Sequence, residues 1–240
     1  LNYKIDILRG PIKEEVLLPI IGNYDGMICG DDEITRKVIS NGKKGKLKVI
    51  SKYGIGLDKI DLKSAVEFGI KVFKTPGVNH ITVSEHILAL LFSYYKNIHL
   101  EYNIIKQGKW ERLIGHEIFG KKIGIVGYGR IGHELAQRCK AFGLTVKAYD
   151  PYVSMKTISD SDIVFLDNII NLVDEIDILA LTLPLNQETE GMINKKVINS
   201  AQKKMVIVNT SRALIVNQKD LIHSLKANKI KAYLTDVLEE

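Results

Sequence analysis

Lys122-Ile123-Gly124-Ile125-Val126-Gly127-Tyr128-Gly129-Arg130-Ile131-Gly132 is the stretch that decides the fold. Its first five residues read as a short apolar strand, and Gly127, Gly129 and Gly132 follow that strand directly. The helix that opens after them has an inner face of Ile131, Leu135, Cys139 and Phe142. At such a strand-to-helix turn the three glycines have separate uses. The first makes the tight turn, the second lets a pyrophosphate approach the backbone, and the third lets the helix pack on the strand. The helix N-terminus adds N–H groups and the positive end of a dipole. Arg130 reads equally as a cation on the phosphates and as a solvated side chain.

Glycine spacing alone is a weak signal, and its surroundings strengthen it. A second strand, Thr145–Tyr149, ends in Asp150, eighteen residues past Gly132. That is about the offset at which a carboxylate meets the adenosine ribose hydroxyls. The same carboxylate would repel a 2′-phosphate, so the spacing predicts NAD rather than NADP.

Working outward, further strands are expected at Asp162–Phe165, Ile178–Leu181, Met205–Asn209 and Lys231–Leu234. Helices are expected at Ile131–Phe142, Ile169–Glu175, Lys195–Ser200 and Gln218–Ala227. Six strands with intervening helices predict an α/β, doubly wound parallel sheet. Upstream, strands at Asp25–Cys29, Leu47–Ser51 and Lys71–Lys74 alternate with helices at Ile34–Asn41 and Asp61–Phe68. A long helical stretch then begins near Val83 and runs, with a break, to Gln107. Its apolar residues Val83, Ile87, Leu90, Leu91, Tyr94 and Ile98 share one face. Gly108 and Gly115 break the pattern, which sets the expected domains at 1–100 and 101–240.

Ligands of such sheets bind beyond the carboxyl ends of the strands. Leu183 and Pro184 follow Ile178–Leu181 there, and Thr210, Ser211 and Arg212 follow Met205–Asn209. A guanidinium at this place suits a substrate carboxylate, although by position alone Arg212 reads equally as a surface arginine. Asp236 ends the sixth strand on the same edge, where a turn aspartate competes with a functional one. In the upstream region, Ser51–Asp58 also follows a strand. Its glycines allow free N–H groups to meet a carboxylate, with a structural tight turn as the equal competitor.

Composition excludes several classes. The net charge is +6, but the basic residues are scattered, and the cluster Lys43-Lys44-Gly45-Lys46-Leu47-Lys48 reads as a solvated loop rather than a nucleic-acid site. The longest apolar stretch, Ile87 to Phe92, is too short to span a bilayer, and no signal peptide is seen. Two cysteines in apolar surroundings, Cys29 and Cys139, suit a reducing, cytoplasmic compartment. The six histidines read as helix residues, packed or solvated. Without HxxxH or CxxC spacing, no metal is expected.

Together these residues resemble the D-isomer-specific 2-hydroxyacid dehydrogenases, a family that includes phosphoglycerate dehydrogenase, glyoxylate reductase and the C-terminal binding protein co-repressors. The resemblance runs through Ser51–Asp58, Thr75-Pro76-Gly77-Val78-Asn79 with Val83-Ser84-Glu85, the glycine motif with Asp150, Leu183-Pro184-Leu185 with Thr189-Glu190-Gly191, Asn209–Arg212, and Asp236-Val237. It covers nearly the whole chain.

The resemblance implies an NAD-dependent oxidoreductase that passes a hydride between NAD(H) and a small 2-oxo or 2-hydroxy acid, phosphoglycerate among the possibilities. It implies that residues 1–100 are an incomplete, flavodoxin-like substrate domain and 101–240 the NAD-binding Rossmann domain. Arg212 becomes the catalytic arginine and Asp236 the contact to the nicotinamide carboxamide. Arg130 and Ile131 lie on the pyrophosphate, and Thr75, Leu183, Pro184, Thr210 and Ser211 line the cofactor. The backbone of Ile55 and Gly56 takes the substrate carboxylate, beside Lys52. The long helix belongs to a homodimer arm.

Two departures accompany the resemblance. Ala213 stands where the family has glycine. The family's glutamate would fall one position beyond Glu240, and its catalytic histidine later still. A protein ending at Glu240 is therefore expected to bind NAD but to turn over 2-oxo acids slowly or not at all. The second reading is an NAD-sensing binding or scaffold protein on the same fold, without catalysis.

Overall fold

The computed structural model describes residues 3–153 and 162–238. The chain divides into two compact units, Leu1–Asn79 and His80–Glu240.

The first unit runs α1 (Glu14–Leu17), β1 (Gly26–Cys29), α2 (Arg36–Lys44), β2 (Val49–Lys52), α3 (Leu62–Glu67) and β3 (Lys71–Phe73). Its three strands are parallel in the order β1-β2-β3. Two helix starts are capped by side chains, Thr35 accepting from the Val38 N–H and Asp61 from the Ser64 N–H. Ile34, Val38, Ile39, Ile50 and Ala65 form a single core.

The second unit opens with α4 (His80–Tyr95) and α5 (Ile98–Lys106). The expected break lies at Asn97, whose φ of 56° is left-handed. There follow β4 (Lys122–Val126), α6 (Arg130–Ala141), β5 (Thr145–Tyr149), β6 (Val164–Phe165), α7 (Ile169–Val173), β7 (Ile178–Leu181), α8 (Lys195–Ser200), β8 (Val206–Asn209), α9 (Gln218–Lys226) and β9 (Ala232–Thr235). All six strands are parallel, in the order β6-β5-β4-β7-β8-β9. The chain walks outward from β4 to β6, then returns beside β4 with β7. This reversal puts the topological switch point at the carboxyl ends of β4 and β7.

Both faces of the sheet are covered. Ile123, Ile125, Ile178, Ala180, Val206 and Val208 face one core with α4 and α6. Val126, Leu179, Leu181 and Ile207 face the other, with Leu172, Val197 and Leu221 from α7, α8 and α9. Successive strand residues alternate between the two cores, so the central strands read as unbroken apolar runs.

Three expectations shift. The division falls at Asn79 rather than near residue 100, because Ile87, Leu88, Leu91 and Tyr95 of α4 are buried in the same core as Ile123 and Leu135. The buried face of that helix is Ser84, Ile87, Leu88, Leu91 and Tyr95, rotated from the expected stripe, which leaves Leu90 and Tyr94 at its margin. Phe142 stands outside α6, 45% exposed, with its ring edge-on to Phe92 at 5.0 Å. It follows the last turn of the helix, so the helical period no longer holds its direction.

Leu135 is fully buried where α6 meets the sheet. Leu135→Ala should cost about 2–5 kcal/mol through lost burial and the cavity left behind. Urea unfolding monitored by circular dichroism measures this, and a loss below about 1 kcal/mol would contradict the packing described.

Candidate dinucleotide-binding site

The carboxyl edge of the six-stranded sheet gathers most of the residues singled out from sequence. Gly127 leaves β4 with φ 91°, a conformation that favours glycine. A Cβ on it would lie 2.8 Å from the Thr182 carbonyl oxygen and 2.9 Å from Leu183 Cβ. A Cβ on Gly132 would lie 2.3 Å from the Gly127 carbonyl oxygen. These two glycines are thus required by the protein itself, one by the turn and the other by the seating of α6 on β4.

Gly129 is different. It is exposed, its φ is −75°, and a Cβ on it would meet no protein atom within 4 Å. The fold does not need a glycine at this position, but a diphosphate approaching the backbone does. Gly129 is also the N-cap of α6. Helical geometry leaves the first amides of that helix, including those of Arg130 and Ile131, without intrahelical acceptors. Amides and dipole therefore meet where an anion would lie.

Asp150 sits at the end of β5. Its Oδ2 accepts the Tyr128 N–H at 2.8 Å, and its Oδ1 accepts the Tyr152 N–H at 2.9 Å. An ionised carboxylate offers about four lone-pair sites, so two acceptances leave capacity for ribose hydroxyls. The first bond also fixes the glycine loop to the acid.

After β7, the Thr182 hydroxyl donates to the Gly127 carbonyl at 2.7 Å, tying the two loops of the switch point together. Leu183 is buried and Pro184 exposed. After β8, fully buried Asn209 organises the next loop. Its Nδ2 donates to the Arg212 carbonyl at 2.9 Å and to the Tyr233 hydroxyl at 3.0 Å, while its Oδ1 accepts the Ser211 N–H at 3.0 Å. The Ser211 hydroxyl donates to the Leu181 carbonyl at 2.8 Å. Arg212 is half-buried, and its Nη1 donates to the Ser211 carbonyl at 2.7 Å. Thr210 Oγ1 is buried with no hydrogen-bond partner among the described residues. A buried polar atom without a partner is costly in a bare protein and fits a loop that meets a polar ligand. Asp236 follows β9, with its Oδ2 3.6 Å from His86 Nε2 of α4.

The remaining sequence candidates lie in the first unit. Lys52 is buried there, its Nζ 2.5 Å from both the Gly30 carbonyl and Asp31 Oδ1. Two of its three ammonium protons are therefore committed within the unit, rather than standing free at the turn. Thr75 Oγ1 accepts the Gly54 N–H at 2.9 Å and pins the loop. Ile55 and Gly56 follow Gly54, whose φ is 133°; both are half-buried.

Sequence reasoning left Thr182, Asn209 and Tyr152 without roles. Their signal is positional, since each adjoins the end of a strand on the binding edge. Their bonds to Gly127, Tyr233 and Glu188 respectively join segments far apart in sequence, and no local pattern announces such bonds.

Comparison with known proteins follows the same lines. A family model described as D-isomer specific 2-hydroxyacid dehydrogenase, NAD binding domain, matches residues 88–240. The chain is 34% identical over 239 residues to D-3-phosphoglycerate dehydrogenase of Methanocaldococcus jannaschii, covering 99% of this chain and 45% of that protein. It is also 34% identical over 239 residues to hydroxypyruvate reductase of Thermotoga maritima, covering 98% of this chain and 76% of that one. Among solved structures, D-lactate dehydrogenase of Aquifex aeolicus complexed with NAD and lactic acid superposes with a TM-score of 0.81 at 25% identity, covering 92% of this chain and 66% of that one. The chain spans less than half the length of the phosphoglycerate dehydrogenase it matches.

The two kinds of glycine should separate experimentally. Gly129→Ala should leave the unfolding midpoint nearly unchanged while weakening NADH binding about tenfold or more, because the added methyl meets only the ligand. Gly132→Ala should weaken both, as overpacking typically costs about 1–3 kcal/mol. Thermal unfolding beside NADH fluorescence titration checks the pair. Equal stability losses in the two variants would contradict this division of roles.

Proposed function

We propose, from the premise that this chain belongs to the D-isomer-specific 2-hydroxyacid dehydrogenase family, that its protein is a cytoplasmic NAD-dependent oxidoreductase acting on a small 2-oxo or D-2-hydroxy acid. The observation that carries the reading is Arg212, held at the carboxyl end of β8 by Asn209, on the same sheet edge as the glycine motif and Asp150. The phosphoglycerate dehydrogenase and hydroxypyruvate reductase relatives favour a three-carbon acid as substrate.

NAD, when bound, accepts or supplies the hydride. The residues of this chain bind and orient. Gly129 and the first amides of α6 take the pyrophosphate, with Arg130 and Ile131 beside it. Asp150 takes the adenosine ribose. Leu183, Pro184, Thr210 and Ser211 line the cofactor, and Asp236 takes the carboxamide. The Arg212 fork holds the substrate carboxylate and stabilises negative charge growing on the neighbouring oxygen. Its guanidinium stays protonated, so it orients and polarises but does not donate the proton. Within the first unit, the proposed contacts are Thr75 to the cofactor and the Ile55 and Gly56 amides to the substrate, while Lys52 holds the Gly30 carbonyl and Asp31.

We also propose a homodimer. Helix α5 buries none of its residues. Ile98, Leu100, Tyr102 and Ile105 are exposed, as are Trp110 and Ile114 in the segment that follows. Exposed apolar side chains concentrated on one helix and the segment after it suit an interaction site.

In assays of the full-length protein with NADH and glyoxylate, hydroxypyruvate or pyruvate, Arg212→Ala should lower kcat/KM by about 10²-fold or more, the usual scale for losing a charge-stabilising donor. NADH binding without turnover of any 2-oxo acid would favour the sensing or scaffold role. A variant retaining a tenth of wild-type activity would remove Arg212 from the mechanism. Sedimentation at micromolar concentration should give a dimer for the wild type and a monomer for the pair Ile105→Glu, Trp110→Glu. A monomeric wild type would refute the assembly.

A further inference from the structure

The loop after β7 is fastened more firmly than an exposed connection requires. Asn186 Oδ1 accepts the N–H groups of Glu188 and Thr189 at 2.9 and 3.0 Å. The Thr189 hydroxyl accepts the Asn186 N–H at 2.8 Å and donates to the Pro184 carbonyl at 2.7 Å. Thr189 itself is buried. Since Thr182 is bonded to Gly127, the loop is anchored to the glycine motif at one end and closed on itself at the other. Its exposed product is Glu188.

Glu188 accepts a hydrogen bond from the Tyr152 phenol. Tyr152 lies two residues past Asp150 and donates its own N–H to that carboxylate. Asp150, Tyr152 and Glu188 thus form one run of contacts from the end of β5 to the loop after β7. Both carboxylates act on the phenol: the bond to Glu188 and then its charge hold Tyr152 above the usual tyrosine range, and Asp150 adds to the effect. Tyr152 is 77% exposed, and a surface bond of this kind contributes little to stability. Its consequence is where it puts a charge.

We infer that Glu188, tied through Tyr152 to the Asp150 end of β5, is a second anionic determinant that selects NAD against NADP, with Tyr152 as its positioning residue. The inference rests on the reading of Asp150 as the adenosine-ribose anchor. The 2′-hydroxyl of that ribose carries the phosphate that distinguishes NADP. With NADP, Asp150 has no free 2′-hydroxyl to accept from, and it repels the phosphate at contact. Glu188 repels the same phosphate from the open side, where solvent and counter-ions would otherwise relieve it. For a phosphate of charge about −2 within about one Debye length of Glu188 in a solvated site, the added discrimination is about threefold. It should shrink as salt rises.

The test is to titrate NADH and NADPH by reduced-nicotinamide fluorescence at about 20 mM and 500 mM salt, in wild type, Glu188→Gln, Glu188→Asp and Tyr152→Phe. The inference expects Glu188→Gln to raise the NADPH-to-NADH affinity ratio about threefold or more at low salt and much less at high salt. Glu188→Asp keeps the charge and should keep the wild-type ratio. Tyr152→Phe, which frees the carboxylate without removing the ring, should fall between wild type and Glu188→Gln. A ratio unmoved by Glu188→Gln overturns the inference, including the case where both cofactors weaken together. Failure of the wild type to bind NADH overturns the underlying reading and this inference with it.

Discussion

The carbonyl oxygen of Gly127 is the point on which the rest of the second unit depends. Helix α6 approaches it so closely that Gly132 has room for no side chain, and the Thr182 hydroxyl donates to it from the neighbouring strand end. One oxygen is therefore where the helix closes on its own strand and where the end of β7 is tied to the end of β4. From that constraint follow the direction of the helix dipole, the exposure of Gly129 and the place where a diphosphate meets free amides. Doubly wound sheets bind ligands where the strand order reverses, and here the reversal coincides with this contact.

Asp150 shows how closely folding and binding share groups on this edge. Its two bonds to the Tyr128 and Tyr152 N–H groups hold the loops on either side of it. The same carboxylate is the proposed ribose anchor, so its geometry is set before any ligand arrives. Asn209, at the end of β8, has a comparable role. It is wholly buried, and its amide fixes the backbone of Ser211 and Arg212 from both of its ends. The arginine is thereby carried on a rigid loop, as a charge-orienting group needs to be.

Much of this was legible in the residues. The strands Lys122–Val126, Thr145–Tyr149 and Ile178–Leu181 appear with their expected bounds, because their apolar residues, continuous in β7 and alternating in β5, end at polar or glycine stops. The glycine turn and Asp150 were legible because each uses a residue type that the local geometry demands. The long helix was legible as a helix but not in its orientation. A largely apolar sequence packs on whichever face its neighbours cover, and those neighbours come from α6, β8 and β9, far along the chain. The commitment of Lys52 to Gly30 and Asp31 was hidden for a similar reason, since it joins two strand ends about twenty residues apart. Roles proposed at the edge beyond the glycine motif rest on resemblance more than on pattern, because a single Arg or Asp after a strand has several uses.

The central claim is that Asp150 does double duty, holding the glycine loop and anchoring the adenosine ribose through its charge. Asp150→Asn keeps one oxygen to accept the Tyr128 N–H, gives up the bond to the exposed Tyr152 N–H and removes the charge, so the glycine loop should survive while the anchor weakens. Calorimetric titration with NADH of the wild type and this variant, with unfolding midpoints measured alongside, separates the two duties. The account predicts that binding weakens by about 1–3 kcal/mol, the cost of losing charge-assisted hydrogen bonds, with little change in stability. Equal NADH affinity in the two proteins would contradict it.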